Sequence, residues 1–349
     1  MTTADLPLIA EFETCIRRDP AQRGLIATEP AWGPVCPGHL GQAAAHLAEF
    51  GRNVAIVTGF YIPAGDPPAA ETDGPPGALA LAQALLQLGI ESVVLTDALC
   101  IGAVRAAALA SAFPIERVIC YPHPSATDVA DAATSRWRAD FWRSGPGKNL
   151  SHLIAIERVG PSHTLESLAR QPRGGAAPAR QFAARVPPEQ RDCCHNMRGE
   201  NIDRFAGDVH RLFEECAVDR TDVKTIGIGD GANEIGMGAA LWEDLERRLS
   251  GEQAGRVPCR IATNWNIVAG TSNWGGYALA AAVALLRGNV QAVAAFDAAH
   301  EQRVLNEMVE SGPAVDGVTR RREATVDGLP FLTYIQPWEA IRAKLGLRE

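Results

Sequence analysis

The run Gly227-Ile228-Gly229-Asp230-Gly231-Ala232-Asn233-Glu234-Ile235-Gly236 sets two carboxylates and an amide among four glycines, directly after a short apolar stretch. Two acids so close together can share base and acid roles, or hold a hard cation such as Mg2+ or Mn2+. Glycines let a backbone come close to a ligand. The pattern predicts a strand ending at Asp230 and a helix opened by Asn233-Glu234, whose positive end would favour an anion. A plain helix cap would account for Asn233 and Glu234. It leaves Asp230 and the glycines without a purpose.

Four more segments carry polar residues that simple connections do not need. Thr58-Gly59-Phe60-Tyr61 runs on to Glu71-Thr72-Asp73-Gly74-Pro75-Pro76-Gly77, a loop too long to be only a link; Asp73 is its acid candidate, with turn or cap as the alternative. Glu157-Arg158 follows an apolar strand; Arg158 is either one half of an ion pair or a planar fork for a carboxylate. His195-Asn196-Met197-Arg198-Gly199-Glu200-Asn201 is dense in hydrogen-bonding groups. Thr263-Asn264-Trp265-Asn266 and Gly270-Thr271-Ser272-Asn273-Trp274-Gly275-Gly276 gather amides, hydroxyls and indoles before an apolar stretch.

The elements that must position these groups alternate between strand and helix patterns. Strands are expected at Asn53–Thr58, Ser92–Thr96, Arg117–Tyr121, His152–Ile156, Thr225–Ile228 and Cys259–Thr263. Helices are expected at Ala78–Leu88, Leu99–Phe113, within Ala126–Trp142, at Glu234–Leu249 and at Asn273–Leu286. That rhythm implies an α/β fold, a mostly parallel sheet flanked by helices in three layers. In such sheets ligands sit at the carboxyl ends of strands, where the five segments fall. We expect a single α/β domain over 1–349, with an N-terminal helical extension over 1–50 and a flexible Pro/Gly/Arg-rich loop near 171–190.

Composition narrows the function. The chain has 349 residues, 46% hydrophobic, with a formal net charge of −8 and eight cysteines. Its only lysines are Lys148, Lys224 and Lys344, and no basic patch points to nucleic acid. No apolar stretch is long enough to span a bilayer. The cysteine spacing gives neither a disulfide framework nor a zinc site, and the start Met-Thr-Thr-Ala-Asp-Leu lacks a leader pattern, so the cytoplasm is the expected compartment. A homo-oligomer is compatible with all of this. Gly145-Pro146-Gly147-Lys148 fails as a phosphate loop because Trp142 and Asn149 stand where Gly and Ser/Thr are needed. Gly229–Glu234 is similar to a phosphatase metal segment, but no Asp-x-Asp nucleophile occurs.

Together, in order and spacing, the loop Thr58–Gly77, Glu157-Arg158, Asn196-Met197-Arg198-Gly199, Gly229–Gly238 and Asn273-Trp274-Gly275-Gly276 resemble the D-glutamate cyclase-like family, from about residue 10 to beyond 300. The resemblance implies a hydro-lyase that turns D-glutamate into 5-oxo-D-proline and water. Such chemistry needs a base for the α-ammonium, stabilisation of an oxyanion and an acid for the departing hydroxyl. On that basis Asp230 and Glu234 are expected as base, acid or metal ligands, with Asp73 and Glu157 in reserve. Arg158 or Arg198 would hold the α-carboxylate, and Asn233, Asn273 and Thr271 would donate hydrogen bonds. Thr58, Gly59, Phe60, Asn196, Gly229 and Trp274 would complete the substrate pocket. No motif demands a cofactor; Mg2+ or Mn2+ on Asp230 and Glu234 is the one metal considered. A metal-dependent phosphohydrolase and a non-catalytic binder of a small metabolite stay open.

Overall fold

The computed structural model describes residues 5–122 and 128–347, so part of the helix expected within Ala126–Trp142 lies outside the described residues; the rest is helix Asp128–Arg143. Nine strands are described: β1 (Asn53–Thr58), β2 (Tyr61–Ile62), β3 (Ala69–Glu71), β4 (Glu91–Asp97), β5 (Val118–Tyr121), β6 (His152–Ile156), β7 (Lys224–Gly229), β8 (Trp265–Val268) and β9 (Ala314–Val315). Six form one sheet in the order β5-β4-β1-β6-β7-β8, with every neighbour parallel. The chain therefore builds outward from β1 to one side, then returns to place β6 on the other. The crevice between the carboxyl ends of β1 and β6 is the topological switch point where such sheets bind ligands.

Residue alternation shows why the sheet is covered on both faces. Val54, Ile56, Ile154 and Ile156 enter one core with helices Pro75–Gln87 and Ser272–Leu286. Ala55, Val57, Leu153 and Ala155 enter a second core on the opposite face. Side chains two apart share a face, so strands apolar at every position bury both sides. Helix Ser272–Leu286 is buried almost all round, as its lack of a polar face requires. The N-terminal extension is helical at Asp5–Ile16, Glu29–Trp32 and His39–Phe50. Among the described residues no helix is long and apolar enough to cross a membrane.

Three expectations are corrected. The helix over Glu234–Leu249 reduces to Trp242–Glu246. Upstream, Glu234 bridges Val159, and Gly236 N–H and Gly238 N–H both donate to Ile261 O at 2.9 and 3.2 Å. Gly236 adopts φ +115° and a Cβ at Gly238 would lie 2.4 Å from Arg260 O, so close backbone pairing overrides the helical spacing of the apolar residues. The partner segment Cys259–Thr263 makes only isolated bridges, and the sixth strand is β8 instead. The segment near 171–190, expected as a flexible loop, contains helix Ala179–Arg185; its Phe182 is wholly buried and meets Trp242 edge-on, with ring centroids 5.2 Å apart.

The long loop after β1 is ordered by a second sheet. β2 pairs antiparallel with β3, and β3 pairs parallel with β9 from the C-terminal region. This sheet carries Glu71 to the mouth of the switch-point crevice and fixes Thr72, whose hydroxyl donates to Thr325 O at 2.6 Å.

Candidate active site

Glu157 is the first residue beyond β6, and its backbone adopts φ +47°, a conformation that non-glycine residues rarely take. The turn aims its carboxylate across the crevice, where Ser272 Oγ donates to Glu157 Oε2 at 2.5 Å. Asp73 arrives from the opposite wall. Its Oδ2 accepts from Ser272 N–H at 2.8 Å and its Oδ1 from Asn273 N–H at 2.9 Å, so it sits on the positive end of helix Ser272–Leu286. Asp230, the first residue past β7, completes a trio with Asp73 and Glu157 whose ligand atoms lie within 4.8 Å of one another.

Three more carboxyls surround the trio. Glu234 folds back on its own turn, accepting Gly231 N–H on Oε1 at 2.8 Å. Glu71 and Asp327 come from the small sheet and the C-terminal loop, and all of these groups are buried. One cation answers them from within. Arg23 Nη1 donates to Asp230 Oδ2 at 2.5 Å, and its Nη2 donates to Asp327 Oδ1 at 2.6 Å. Burial raises the Glu71, Glu157 and Asp230 carboxyls well above their ordinary range, with neighbouring carboxylates adding to the effect. Arg23 opposes the rise most at Asp230. Burial also pushes Asp73 up, to about 7, against the Asn273 and Ser272 N–H groups that favour its charge. Several of these acids therefore hold protons near neutrality, or a cation takes the place of those protons.

A cavity of about 210 Å³ opens onto the cluster. Glu71, Glu157, Asp230 and Glu234 line its floor, with Asn233 beside them, and Phe60, Asn196 and Arg198 stand on its walls. Among the described residues, no N–H or O–H group donates to Glu71 Oε1, Glu234 Oε2 or Asn233 Oδ1 there. Two arginines face in from the rim, Arg198 and Arg320. Among the described residues neither guanidinium makes an ion pair or hydrogen bond, and Arg320 is held at φ +62°.

Other residues expected in the pocket serve its frame. Arg158 is paired with Asp97 at 2.6 Å, wholly buried, and donates to Gly59 O at 2.7 Å; it does not reach the cavity. Asn273 Oδ1 accepts from Gly74 N–H and Gly77 N–H, both at 2.9 Å, capping helix Pro75–Gln87. Thr271 caps helix Ser272–Leu286 through its hydroxyl, and Trp274 Nε1 donates to Tyr334 O at 2.8 Å in the core. Thr58 Oγ1 is buried behind the cavity without a partner, and Gly59 takes φ +100° where a Cβ would lie 2.7 Å from Thr96 Oγ1. Gly229 leaves room for Glu234, whose Oε2 would lie 3.0 Å from a Cβ at that position. Because Asn233-Glu234 open no helix, the anion-favouring dipole belongs to helix Ser272–Leu286 instead.

Sequence reasoning missed Arg23, Glu71, Asp327, Ser272 and Arg320. Arg23 and Asp327 sit in connecting segments with no motif around them. Glu71 and Ser272 stand inside segments already singled out, and their acid and hydroxyl groups were the available signal.

Comparison with known proteins fits this arrangement. Residues 12–168 and 183–341 match the family model described as D-glutamate cyclase-like, C-terminal, which passes over residues 169–182. The human protein "D-glutamate cyclase, mitochondrial" is 30% identical over 288 residues, covering 80% of this chain and 39% of that protein. The chain thus spans about two fifths of the length of that relative. By the family match across most of its length, with this similarity beside it, the chain belongs to the D-glutamate cyclase-like, C-terminal family.

Proposed function

We propose that the protein is a hydro-lyase that closes D-glutamate into 5-oxo-D-proline and releases water. The observation that carries this reading is the pairing, around one small cavity, of four carboxyls with two arginines that make no ion pair among the described residues. The cavity volume of about 210 Å³ lies below the roughly 300–1,000 Å³ typical of drug-sized ligands, which suits a small metabolite. The printed name of the human relative supports D-glutamate as the substrate.

The α-carboxylate of the substrate keeps its charge from start to finish, so it pairs with Arg198 and Arg320 as planar forks. The α-ammonium and γ-carboxyl then point at the acids. Glu234 takes a proton from the ammonium through Oε2, the oxygen that no protein group occupies. The freed amine attacks the carbon of the γ-carboxyl, which has taken up a proton from the acid cluster, forming the C–N bond and a tetrahedral centre. Glu71, kept protonated by burial and neighbouring carboxylates, donates its proton to the departing hydroxyl. The C–O bond breaks, water leaves, and one of the two protons on the cationic nitrogen passes to the acid cluster, so the lactam keeps one N–H and the acids regain the protons they gave. Holding both ends of one molecule removes much of the entropic barrier to ring closure.

The eight free cysteines support a reducing compartment, and we place the protein in the cytoplasm; the human relative is named as mitochondrial. The reaction is tested by incubating the purified protein with D- and L-glutamate and separating products on a chiral column. Faster 5-oxoproline formation from the D enantiomer supports the reading. Equal rates for both, unchanged in Asp230→Asn, defeat it.

A further inference from the structure

We propose that Asp73, Glu157 and Asp230 bind one hard divalent cation, of the Mg2+ or Mn2+ class, at the floor of the cavity. The three ligand atoms lie within 4.8 Å of one another, close enough for a single ion to touch all three. The start of helix Ser272–Leu286 holds two of the carboxylates, Asp73 through the Ser272 and Asn273 N–H groups and Glu157 through the Ser272 hydroxyl, and Arg23 holds Asp230. The site is thus organised before any ion arrives, and the unusual backbone of Glu157 serves to aim its side chain inward.

An independent observation points to a ligand at the same place. Glu71 Oε1, Glu234 Oε2 and Asn233 Oδ1 are buried, belong to residues lining this cavity and, among the described residues, receive no hydrogen bond from an N–H or O–H group. Buried polar atoms are ordinarily satisfied, so three together mark a missing positive or donor group. The charge balance says the same. Among the described residues only Arg23 makes an ion pair with any of Glu71, Asp73, Glu157, Asp230, Glu234 and Asp327, and burying unpaired carboxylates is costly. The trio is all oxygen and all carboxylate, which selects a hard cation over zinc or copper. The structure favours Asp73 and Glu157 as the partners of Asp230, in place of Glu234 alone. An ion there would also polarise a substrate carboxyl; that consequence rests on the cyclase reading, whereas the site itself does not.

The test uses the full chain, stripped with a chelator, desalted and titrated with MnCl2 while free Mn2+ is followed by electron paramagnetic resonance. One saturable Mn2+ per chain, displaced by excess MgCl2 and accompanied by a rise in melting temperature, is the expected result. Asp73→Asn and Glu157→Gln should each weaken binding by about tenfold or more, while the exposed Glu116→Gln leaves it unchanged. Circular dichroism checks that each variant is folded, and if Asp73→Asn is not, Glu157→Gln and Asp230→Asn decide. No saturable binding at millimolar Mn2+ in the folded wild-type protein, or equal binding in the folded variants, overturns the site. Chelated protein that binds no Mn2+ yet still cyclises D-glutamate overturns the cation and spares the reaction. Mn2+ binding without turnover of either enantiomer does the reverse.

Discussion

Asp73 and Asn273 cap each other's helices. Asp73, just before helix Pro75–Gln87, accepts the N–H groups of Ser272 and Asn273 at the start of helix Ser272–Leu286. Asn273, in that first turn, accepts the N–H groups of Gly74 and Gly77 at the start of the other helix. The exchange needs the two helix ends to touch, and Gly77 permits it: a Cβ there would lie 2.8 Å from Asn273 Cα. The site's central acid is therefore built into the packing of the two helices behind it.

Asn273→Ala should leave two buried N–H groups unsatisfied and lower unfolding free energy by about 2–4 kcal/mol. Urea denaturation measures this. A loss within about 0.5 kcal/mol, the range of ordinary surface changes, would show that the reciprocal caps contribute nothing.

Asp230→Asn and Glu234→Gln keep size and hydrogen-bonding capacity. On the proposed reaction each should reduce kcat by about 10²–10⁴-fold with native circular dichroism. Full activity in either variant would remove that carboxylate from the chemistry.

Arg198→Ala and Arg320→Ala should raise KM for D-glutamate by about 10–100-fold with little change in kcat, since a charged hydrogen bond to the α-carboxylate is lost equally in ground and transition states. Arg320→Gly removes the guanidinium but also relieves the positive φ, so its melting temperature should hold while KM rises. Unaltered KM in all three variants would place the substrate elsewhere.

Arg158 gives the opposite signature. Arg158→Met breaks the buried ion pair with Asp97, and unfolding free energy should fall by about 3–5 kcal/mol. Should the variant keep its stability and lose only substrate affinity, the carboxylate clamp expected from the sequence would be restored.

Glu301 lies away from the cavity, where burial raises its pKa from 4.5 to about 7 against the hydrogen bonds from Tyr277 and Tyr334. The Tyr334 hydroxyl donates to Glu301 Oε1 at 2.7 Å. The folded value exceeds the unfolded one, so this group's contribution is full below about pH 4.5 and is lost as pH rises through 7, a decline of roughly 3 kcal/mol. Glu301→Gln should therefore melt progressively higher relative to wild type between pH 5 and 8. Parallel pH profiles for the two proteins would refute this.

Local order decided what could be read along the chain. Asn53–Thr58 and His152–Ile156 are strands over their expected bounds because unbroken apolar runs ending in polar tips suit a sheet buried on both faces. The acids Asp73, Glu157 and Asp230 were legible for the same reason: each stands at a strand end or helix start, where the chain's own periodicity places it. The sequence also showed the glycines of 227–238, though not what they do. Helical spacing of Met237, Leu241 and Leu245 suggested a helix, and only the backbone pairing with Val159 and Ile261 excludes it. Arg158 and Arg198 look alike in sequence, but one is held by Asp97 and the other lines the cavity with no ion pair among the described residues. Arg23, Asp327 and Arg320 come from segments without motif or period, brought to the cavity by the N-terminal extension and by pairing of β9 with β3. A residue's type and spacing carry its chemistry, but its partner is set by contacts between segments as much as 304 residues apart at this site, which no local pattern encodes.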